Sequence, residues 1–255
     1  MAQFTVNFYS YSLDTGVDIC VTIPSFTPCD RSNPVHTHVI PAKFPVLYLL
    51  HGHGNDYKCW LRYTSVERLA EEQCNAIVTM NSQNKAYNNV PNGDNFFDFV
   101  SHELPEFITS MFPVSSEPKD TYIAGLSMGG YGTLVHAFST PERYCAYGAF
   151  SAGITPENQP RIVCGIEGID PYQEAKKRLA EGKTLPKGYI CCGRQDFLYE
   201  RNVDFVKRLK ALNVDFDWHP VDGFEHEWRY WDIEIANFLN WIPRTDYYAD
   251  KPHKV

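Results

Sequence analysis

One serine lies in the pentapeptide Gly-Leu-Ser-Met-Gly at 125–129, after an apolar run at 121–124 and before a glycine-rich, helix-compatible run. A sharp turn from strand to helix requires small residues on both sides, because side chains there would collide where the two elements cross. Such a turn exposes the hydroxyl beside the partial positive charge of a helix N-terminus. The pattern predicts that Ser127 is an acyl-transfer nucleophile; the alternative is a glycine-rich turn with an incidental serine.

A serine hydroxyl needs a base to accept its proton and an acid to orient that base. His226 lies in a turn-rich stretch before the last helical pattern, on the rim predicted for Ser127, and is our candidate base. His219 ends an apolar strand, which favours a core or edge role, and His253 lies in a polar tail from 244 to 255. A simple surface-loop role is the alternative for His226.

The acid should follow the strand that precedes this histidine, and Asp196 follows the apolar run at 188–192. Asp222, four residues before His226, is the competing acid. A helix N-cap is the alternative role for Asp196, since a helical pattern begins near residue 199. We expect Ser127, Asp196 and His226 to form a catalytic triad.

Acyl transfer also needs donors for the oxyanion. The backbone N–H after the nucleophile, that of Met128, is the first candidate, and the small residues of the 49–54 loop, including Gly52, let the N–H of His53 approach as the second. Two H-x-H pairs, His36/His38 and His51/His53, could suggest a metal. No carboxylate or third histidine stands at ligand spacing, so we predict no metal site.

The elements that position these residues alternate between strand and helix. Residues 17–23 alternate apolar and polar, which favours a half-exposed antiparallel edge strand. Continuous apolar runs at 45–50, 76–80, 121–124, 145–151, 188–192 and 214–219 are typical of parallel strands covered on both faces. Helical stripes cover 100–111, with a kink expected at Pro105, and 205–212, and a last helix covers 231–241. The fold class is α/β, one domain over 1–255 with a mostly parallel, doubly wound sheet.

Two segments interrupt this alternation. Residues 83–97 and 153–186 are too long for plain connections and are predicted to wall or cover the ligand crevice at the carboxyl ends of the strands. Ordinary surface loops are the alternative. Aromatic residues near that rim could line an apolar pocket, or could be core residues. They are Trp60, Phe96, Phe97, Phe197 and Trp228, and Gly52 of the 49–54 loop is a further candidate pocket residue.

Composition narrows the class of protein. The 255 residues are 44% hydrophobic and 21% charged with a net charge of -8, which argues against a nucleic-acid or anionic-membrane partner. The first residues lack a signal-peptide pattern and no run suits a membrane span, so a cytoplasmic protein is expected, unless a leader has been removed. The eight cysteines are scattered and are expected to be reduced thiols. Monomer, dimer and tetramer remain open.

Several motifs together resemble the esterase D family, near its tributyrin esterase branch, and span nearly the whole chain. They are VLYLLHG (46–52), WLRYT (60–64), FVSHELP (99–105), AGLSMGGYG (124–132) and HEW (226–228). The resemblance implies an α/β-hydrolase fold and a cofactor-independent carboxylic ester hydrolase with the triad Ser127, Asp196 and His226. Relatives include acetyl esterases, feruloyl esterases and S-formylglutathione hydrolases, which usually carry histidine where this chain has Tyr131. The histidine-containing insertion at 29–42 is unusual for the family.

Short-chain or hydroxycinnamoyl esters are therefore the expected substrates, and the expected partner is a small molecule. Four alternatives differ in whether they would use this triad. An acyltransferase, a peptidase or an S-formylglutathione hydrolase-like thioesterase would keep the triad, whereas a binding module would have lost a member, and none is lost.

Overall fold

The computed structural model describes residues 1–25, 39–91, 93–157, 159, 162–163 and 165–250. The strands are β1 (Ala2–Ser10), β2 (Thr15–Ile23), β3 (Val46–Leu50), β4 (Ala76–Met80), β5 (Thr121–Leu126), β6 (Ala146–Phe150), β7 (Ile162–Val163), β8 (Ile166–Glu167), β9 (Lys187–Gly193) and β10 (Phe216–Val221). Eight of them form one sheet in the order β1-β2-β4-β3-β5-β6-β9-β10, while β7 and β8 form a separate hairpin. In this sheet, β4, β3, β5, β6, β9 and β10 run parallel to one another, β1 is antiparallel to β2, and β2 is antiparallel to β4.

Helices cover both faces of this sheet. They are α1 (Cys59–Tyr63), α2 (Val66–Glu72), α3 (Phe96–Asp98), α4 (Leu104–Met111), α5 (Met128–Ser139), α6 (Pro171–Ala180), α7 (Tyr199–Ala211) and α8 (Trp228–Trp241). Successive residues of a strand point to opposite faces, so Leu47 packs in the cluster formed with α2 and α8, and Tyr48 in the cluster formed with α4, α5 and α7. The continuous apolar runs of the sequence are thus explained, because both faces of the central strands are buried.

The predicted α/β class and its antiparallel N-terminal edge are confirmed. Near Pro105, where the kink stays a prediction, a π-helical turn, Phe99–Glu103, runs directly into α4. Two local predictions were wrong. The strand that covers 17–23 is second from the edge, since β1 pairs with it along its whole length. The predicted polar tail at 244–255 is packed against the domain in its described part, up to residue 250, because Tyr248 is buried and stacks on Phe44 at 4.8 Å.

All six cysteines that the structure describes are free thiols, five of them buried, as expected. Cys29 and Cys164 lie outside the described residues, as do His36, His38 and most of the 29–42 insertion. No helix in the described ranges has the length and apolar character needed to cross a membrane.

The sheet register brings the predicted chemistry to one rim. Leu126, Phe150 and Cys191 are paired across β5, β6 and β9, so the residues that follow these three strands emerge side by side. They are Ser127, Ser151 and the turn that carries Asp196. The loop after β10 reaches the same rim, because β10 runs parallel to β9.

Candidate active site

Ser127 has the strained backbone of a tight strand-to-helix turn, with φ 53° and ψ −116°. A positive φ costs a non-glycine residue on the order of 1–3 kcal/mol, so surrounding contacts must hold it. The Ser127 N–H donates to the Phe150 carbonyl oxygen (2.9 Å), and the Ser127 carbonyl oxygen accepts from the N–H groups of Gly153 (2.8 Å) and Tyr131 (3.0 Å). The serine is therefore fixed between β5, α5 and the loop after β6.

The two motif glycines are required by packing. A Cβ on Gly125 would lie 2.6 Å from the Gly129 carbonyl carbon and 2.8 Å from Leu50 Cβ. A Cβ on Gly129 would collide with the carbonyl oxygen of Leu50. The strand-to-helix crossing leaves no room for side chains, as the motif predicted.

His226 and Asp196 form a direct pair. His226 Nδ1 lies 2.8 Å from Asp196 Oδ2, and Asp196 Oδ1 accepts from the Leu198 N–H over 2.8 Å. The Asp196 side chain is fully buried. Burial raises the pKa of this carboxyl, but the hydrogen bonds from His226 and the Leu198 amide outweigh that effect and hold the pKa below its ordinary value. An ionised Asp196 accepts a hydrogen bond from the protonated Nδ1 of His226, so the lone pair of the neutral ring lies on Nε2.

The competing acid stands elsewhere. Asp222 is 80% exposed and pairs with Arg194, whose Nε is 3.4 Å from Asp222 Oδ1. His219 is half-buried on β10 and stacks on Tyr189 at 4.3 Å, consistent with a packing role. His253 lies outside the described residues.

Ser151 and Trp231, which sequence reasoning missed, connect the two halves of the site. Trp231 packs edge-on against His226 (ring centroids 4.8 Å) and donates from Nε1 to Ser151 Oγ (3.2 Å). Ser151 follows Phe150, whose carbonyl oxygen accepts from Ser127. Among the hydrogen bonds of the described residues none joins Ser127 to His226, and such bonds often tighten only when substrate binds. The feature that marks Ser151 as unusual is its positive φ of 44°, and a backbone angle cannot be seen in the sequence.

The small-residue loop after β3 lies against the nucleophile. A Cβ on Gly52 would be 3.5 Å from Ser127 Cβ and would collide with Leu126. The Gly52 carbonyl oxygen accepts from the Asn55 N–H (3.2 Å), which closes a turn with exposed His53 at its tip. Met128 begins α5, so its N–H has no acceptor within the helix.

The nitrogens of His51 are both engaged within the protein. Nδ1 lies 2.7 Å from the Gly52 carbonyl oxygen, to which it donates, and Nε2 accepts from the Ser82 N–H over 3.0 Å. Burial lowers the pKa of His51, which favours the neutral ring. Within the described residues, no group of three or more His, Cys, Asp or Glu side chains could hold a metal ion.

The five aromatic residues predicted near the rim fall into two groups. Trp60 is fully buried with Nε1 donating to Leu50 (2.9 Å), and Phe96 is buried in the core. Phe97 stacks on the buried His136 at 4.9 Å. By contrast, Phe197 is 73% exposed with its ring 4.7 Å from that of His226, and half-buried Trp228 packs against Trp231 at 5.4 Å.

The two long segments, 83–97 and 153–186, meet each other beside α5. Asn88 Oδ1 accepts from the Ile169 N–H (3.2 Å), and the Tyr131 hydroxyl donates to the Ile169 carbonyl oxygen (2.7 Å) while accepting from Asn88 Nδ2 (3.3 Å). Residues 86–88 are buried. Tyr131 thus hydrogen-bonds to both segments.

The fold and the site together define a serine hydrolase of the α/β-hydrolase class. The chain belongs to the family described as Putative esterase, whose model matches residues 35–242. It is 30% identical to an acetyl esterase of Caldicellulosiruptor saccharolyticus, over 96% of this chain and 99% of that protein.

Two solved structures from Staphylococcus aureus are also similar. The fluorophosphonate-binding serine hydrolase F has a TM-score of 0.80 and 29% identity, covering 94% of this chain and 97% of that one. An S-formylglutathione hydrolase has a TM-score of 0.78 and 28% identity, covering 94% and 98%. This chain is a carboxylic ester hydrolase of the serine type.

Proposed function

We propose that this enzyme hydrolyses small-molecule esters with short acyl groups, of the acetyl or butyryl type, through an acyl-enzyme on Ser127. The observation that carries the proposal is the 2.8 Å bond between His226 and buried Asp196 on the rim where strained Ser127 emerges. The similarity to an acetyl esterase over 96% of the chain supports a small acyl group.

In the proposed mechanism His226 is the general base. Asp196 holds the proton on Nδ1, so Nε2 accepts the proton of Ser127 as the oxygen attacks the ester carbonyl. The same imidazolium then protonates the leaving alcohol, and Asp196 stabilises the positive charge. Water, deprotonated by His226, attacks the acyl-enzyme, and the imidazolium then returns that proton to Ser127 Oγ as the acid is released.

The Met128 and His53 N–H groups are proposed to stabilise the oxyanion. Met128 is the first residue of α5, a 12-residue helix whose N-terminal N–H groups and dipole favour negative charge. The position of Gly52 supports the His53 loop as the second donor, because a Cβ on Gly52 would lie 3.5 Å from Ser127 Cβ, which puts the loop backbone near the nucleophile.

We further propose that Phe197 and Trp228 contact the part of the substrate nearest His226. Phe197 leaves most of its apolar surface exposed beside the imidazole, which suits an apolar acyl chain or an aryl leaving group. Trp60, Phe96 and Phe97 act through packing, since Trp60 and Phe96 are buried and Phe97 stacks on an internal histidine.

The test is Ser127→Ala, with p-nitrophenyl esters from C2 to C8, methyl ferulate and S-formylglutathione as substrates. The variant should lose about 10⁴-fold in kcat, lose covalent labelling by a fluorophosphonate, and keep the wild-type fold. Ser116→Ala, which changes an exposed serine outside the site, is the matched control. More than about a tenth of wild-type activity in Ser127→Ala would refute the assignment.

The panel also separates the substrate classes. Fastest turnover of C2 to C4 esters is expected. A preference for S-formylglutathione would favour the thioesterase alternative, for which the relative at 28% identity is the specific observation. Ester products formed with an added alcohol acceptor would indicate acyl transfer.

A further inference from the structure

The segment that follows β4 contacts the proposed oxyanion loop, residues 51–54, at several points. Asn84 Oδ1 accepts from the Gly54 N–H over 2.7 Å, and the Tyr87 hydroxyl donates to the His51 carbonyl oxygen over 2.9 Å. The Ser82 N–H donates to the His51 ring over 3.0 Å. We call residues 82–87 the support segment.

The backbone of the support segment is strained. Four of its residues have positive φ without being glycine: 47° at Gln83, 61° at Asn84, 51° at Ala86 and 58° at Tyr87. Asparagine tolerates this conformation, but the other three pay a larger steric cost. Such a run persists only where its surroundings impose it.

Helix α5, which begins directly after Ser127, provides part of that constraint. A Cβ on Gly132 would lie 2.5 Å from Tyr87 Cδ2 and 2.9 Å from Tyr87 Cγ, so α5 packs directly on this ring. The support segment is therefore held between the nucleophile helix and the oxyanion loop. A shift of either partner would be transmitted to the other through Tyr87.

The direction of the His53 N–H depends on the peptide that joins Gly52 to His53. Its carbonyl oxygen accepts from His51 Nδ1 (2.7 Å) and from the Asn55 N–H (3.2 Å). In a trans peptide the N–H points opposite to the C=O, so fixing the carbonyl also aims the N–H.

The next peptide, between His53 and Gly54, lies at the exposed tip of the loop as far as the described residues show. Gly54 has φ +75°, and a Cβ there would meet nothing within 4 Å. The bond from Gly54 N–H to Asn84 Oδ1 is the contact that ties this open loop tip to the support segment.

We propose that Asn84 is a positioning residue that holds the oxyanion loop in the geometry in which the His53 N–H meets the developing oxyanion. The inference rests on the proposed function of that loop. Without the Asn84 amide the loop tip would sample other orientations, and the transition state would lose stabilisation while ground-state binding of the ester would change little.

The experiment compares Asn84→Gly, Asn84→Asp and Asn89→Ala. Glycine removes the amide while relieving the positive φ, and aspartate retains an acceptor oxygen. Asn89 is a matched control five residues further along the chain, because among the described residues its side-chain amide hydrogen-bonds to Phe97 and Asp98 in α3. Readouts are kcat and KM for p-nitrophenyl acetate, the melting temperature, and Ki for a short alkyl trifluoromethyl ketone, which forms a tetrahedral adduct with the serine.

We expect Asn84→Gly to lower kcat at least about tenfold with KM within about threefold. The Ki of the ketone should weaken by the factor by which kcat/KM falls, because both report tetrahedral oxyanion binding. Asn84→Asp should recover at least about threefold in kcat over the glycine variant. Asn89→Ala should keep the wild-type kcat and Ki even if its melting temperature falls.

Three results would overturn the proposal: wild-type kcat in Asn84→Gly, a fall in kcat without weaker ketone binding, or an aspartate variant no better than glycine. Loss of activity in Ser127→Ala together with any of these would leave the proposed nucleophile standing and remove only the role of Asn84.

Discussion

Exchanging Asp196 for asparagine conserves volume but reverses the hydrogen bond to the proposed base. Asp196 Oδ1 accepts from the Leu198 N–H and Oδ2 accepts from His226 Nδ1, each over 2.8 Å. An asparagine that keeps its carbonyl oxygen on Leu198 must turn its NH₂ group toward His226. Two donors cannot face each other, so the imidazole proton moves to Nε2, and the nitrogen that should accept the Ser127 proton is blocked.

The expected loss follows from this change of tautomer and from the lost stabilisation of the imidazolium. Together they should lower kcat about 10³- to 10⁴-fold, equivalent to about 4–5.5 kcal/mol in the activation free energy. The fold should survive, since side-chain volume and the bond to Leu198 are retained.

Asp222→Asn is the control. Its carboxylate is 80% exposed, and its ion pair with Arg194 is of a kind worth about 0–1 kcal/mol in stability, so kcat should stay within about twofold of wild type. Steady-state hydrolysis of p-nitrophenyl acetate and thermal melts of both variants provide the comparison. Equal losses in the two variants, or a larger loss at 222, would show that the acid is not Asp196.

Two further measurements test residues around the site. Burial lowers the pKa of His136 from 6.5 to about 3, so between those pH values only the unfolded state binds a proton there. The free energy of unfolding should therefore fall by about 1.4 kcal/mol per pH unit as the pH drops through that window. In denaturant titrations of His136→Gln, the slope of the unfolding free energy against pH should be shallower by that amount, and an unchanged slope would contradict the shift. Phe197→Ala should change the relative kcat/KM values across C2 to C8 esters and leave the melting temperature unchanged, because Phe197 is exposed. Trp60→Ala should instead cost about 3–5 kcal/mol of stability, because Trp60 is fully buried. An unaltered chain-length profile in Phe197→Ala would show that Phe197 does not line the pocket.

Local chemistry was readable from the sequence wherever one turn carries the constraint. A Cβ on Gly125 would collide with Gly129 four residues on, and a Cβ on Gly129 with the Leu50 carbonyl oxygen at the end of β3. The motif records both glycines, so the strand-to-helix turn at Ser127 could be predicted from it. The α/β class followed from continuous apolar runs, because a parallel sheet buried on both faces requires them. Asp196 could be preferred over Asp222 because it follows the strand that precedes the histidine, whereas Asp222, four residues before His226, would have to fold back within one loop.

Other features depended on contacts that the residue pattern of a single segment does not record. The alternation at 17–23 predicted an edge strand, but β1 completes that edge, and pairing between strands is not encoded in either strand alone. Aromatic residues such as Trp60 and Phe197 look alike in a sequence, and only packing buries one and exposes the other.

The sequence by itself determined the nucleophile motif, the candidate acid and base, and the layered α/β class, since each rests on short-range spacing or on the period of apolar residues. Only the tertiary structure decided which contacts surround them: the Trp231 ring against His226, the Trp231 hydrogen bond to Ser151, and the Asn84 side chain on the Gly54 N–H 30 residues away. The physical reason is that a side-chain hydrogen bond constrains two atoms in space and leaves no periodic trace along the chain.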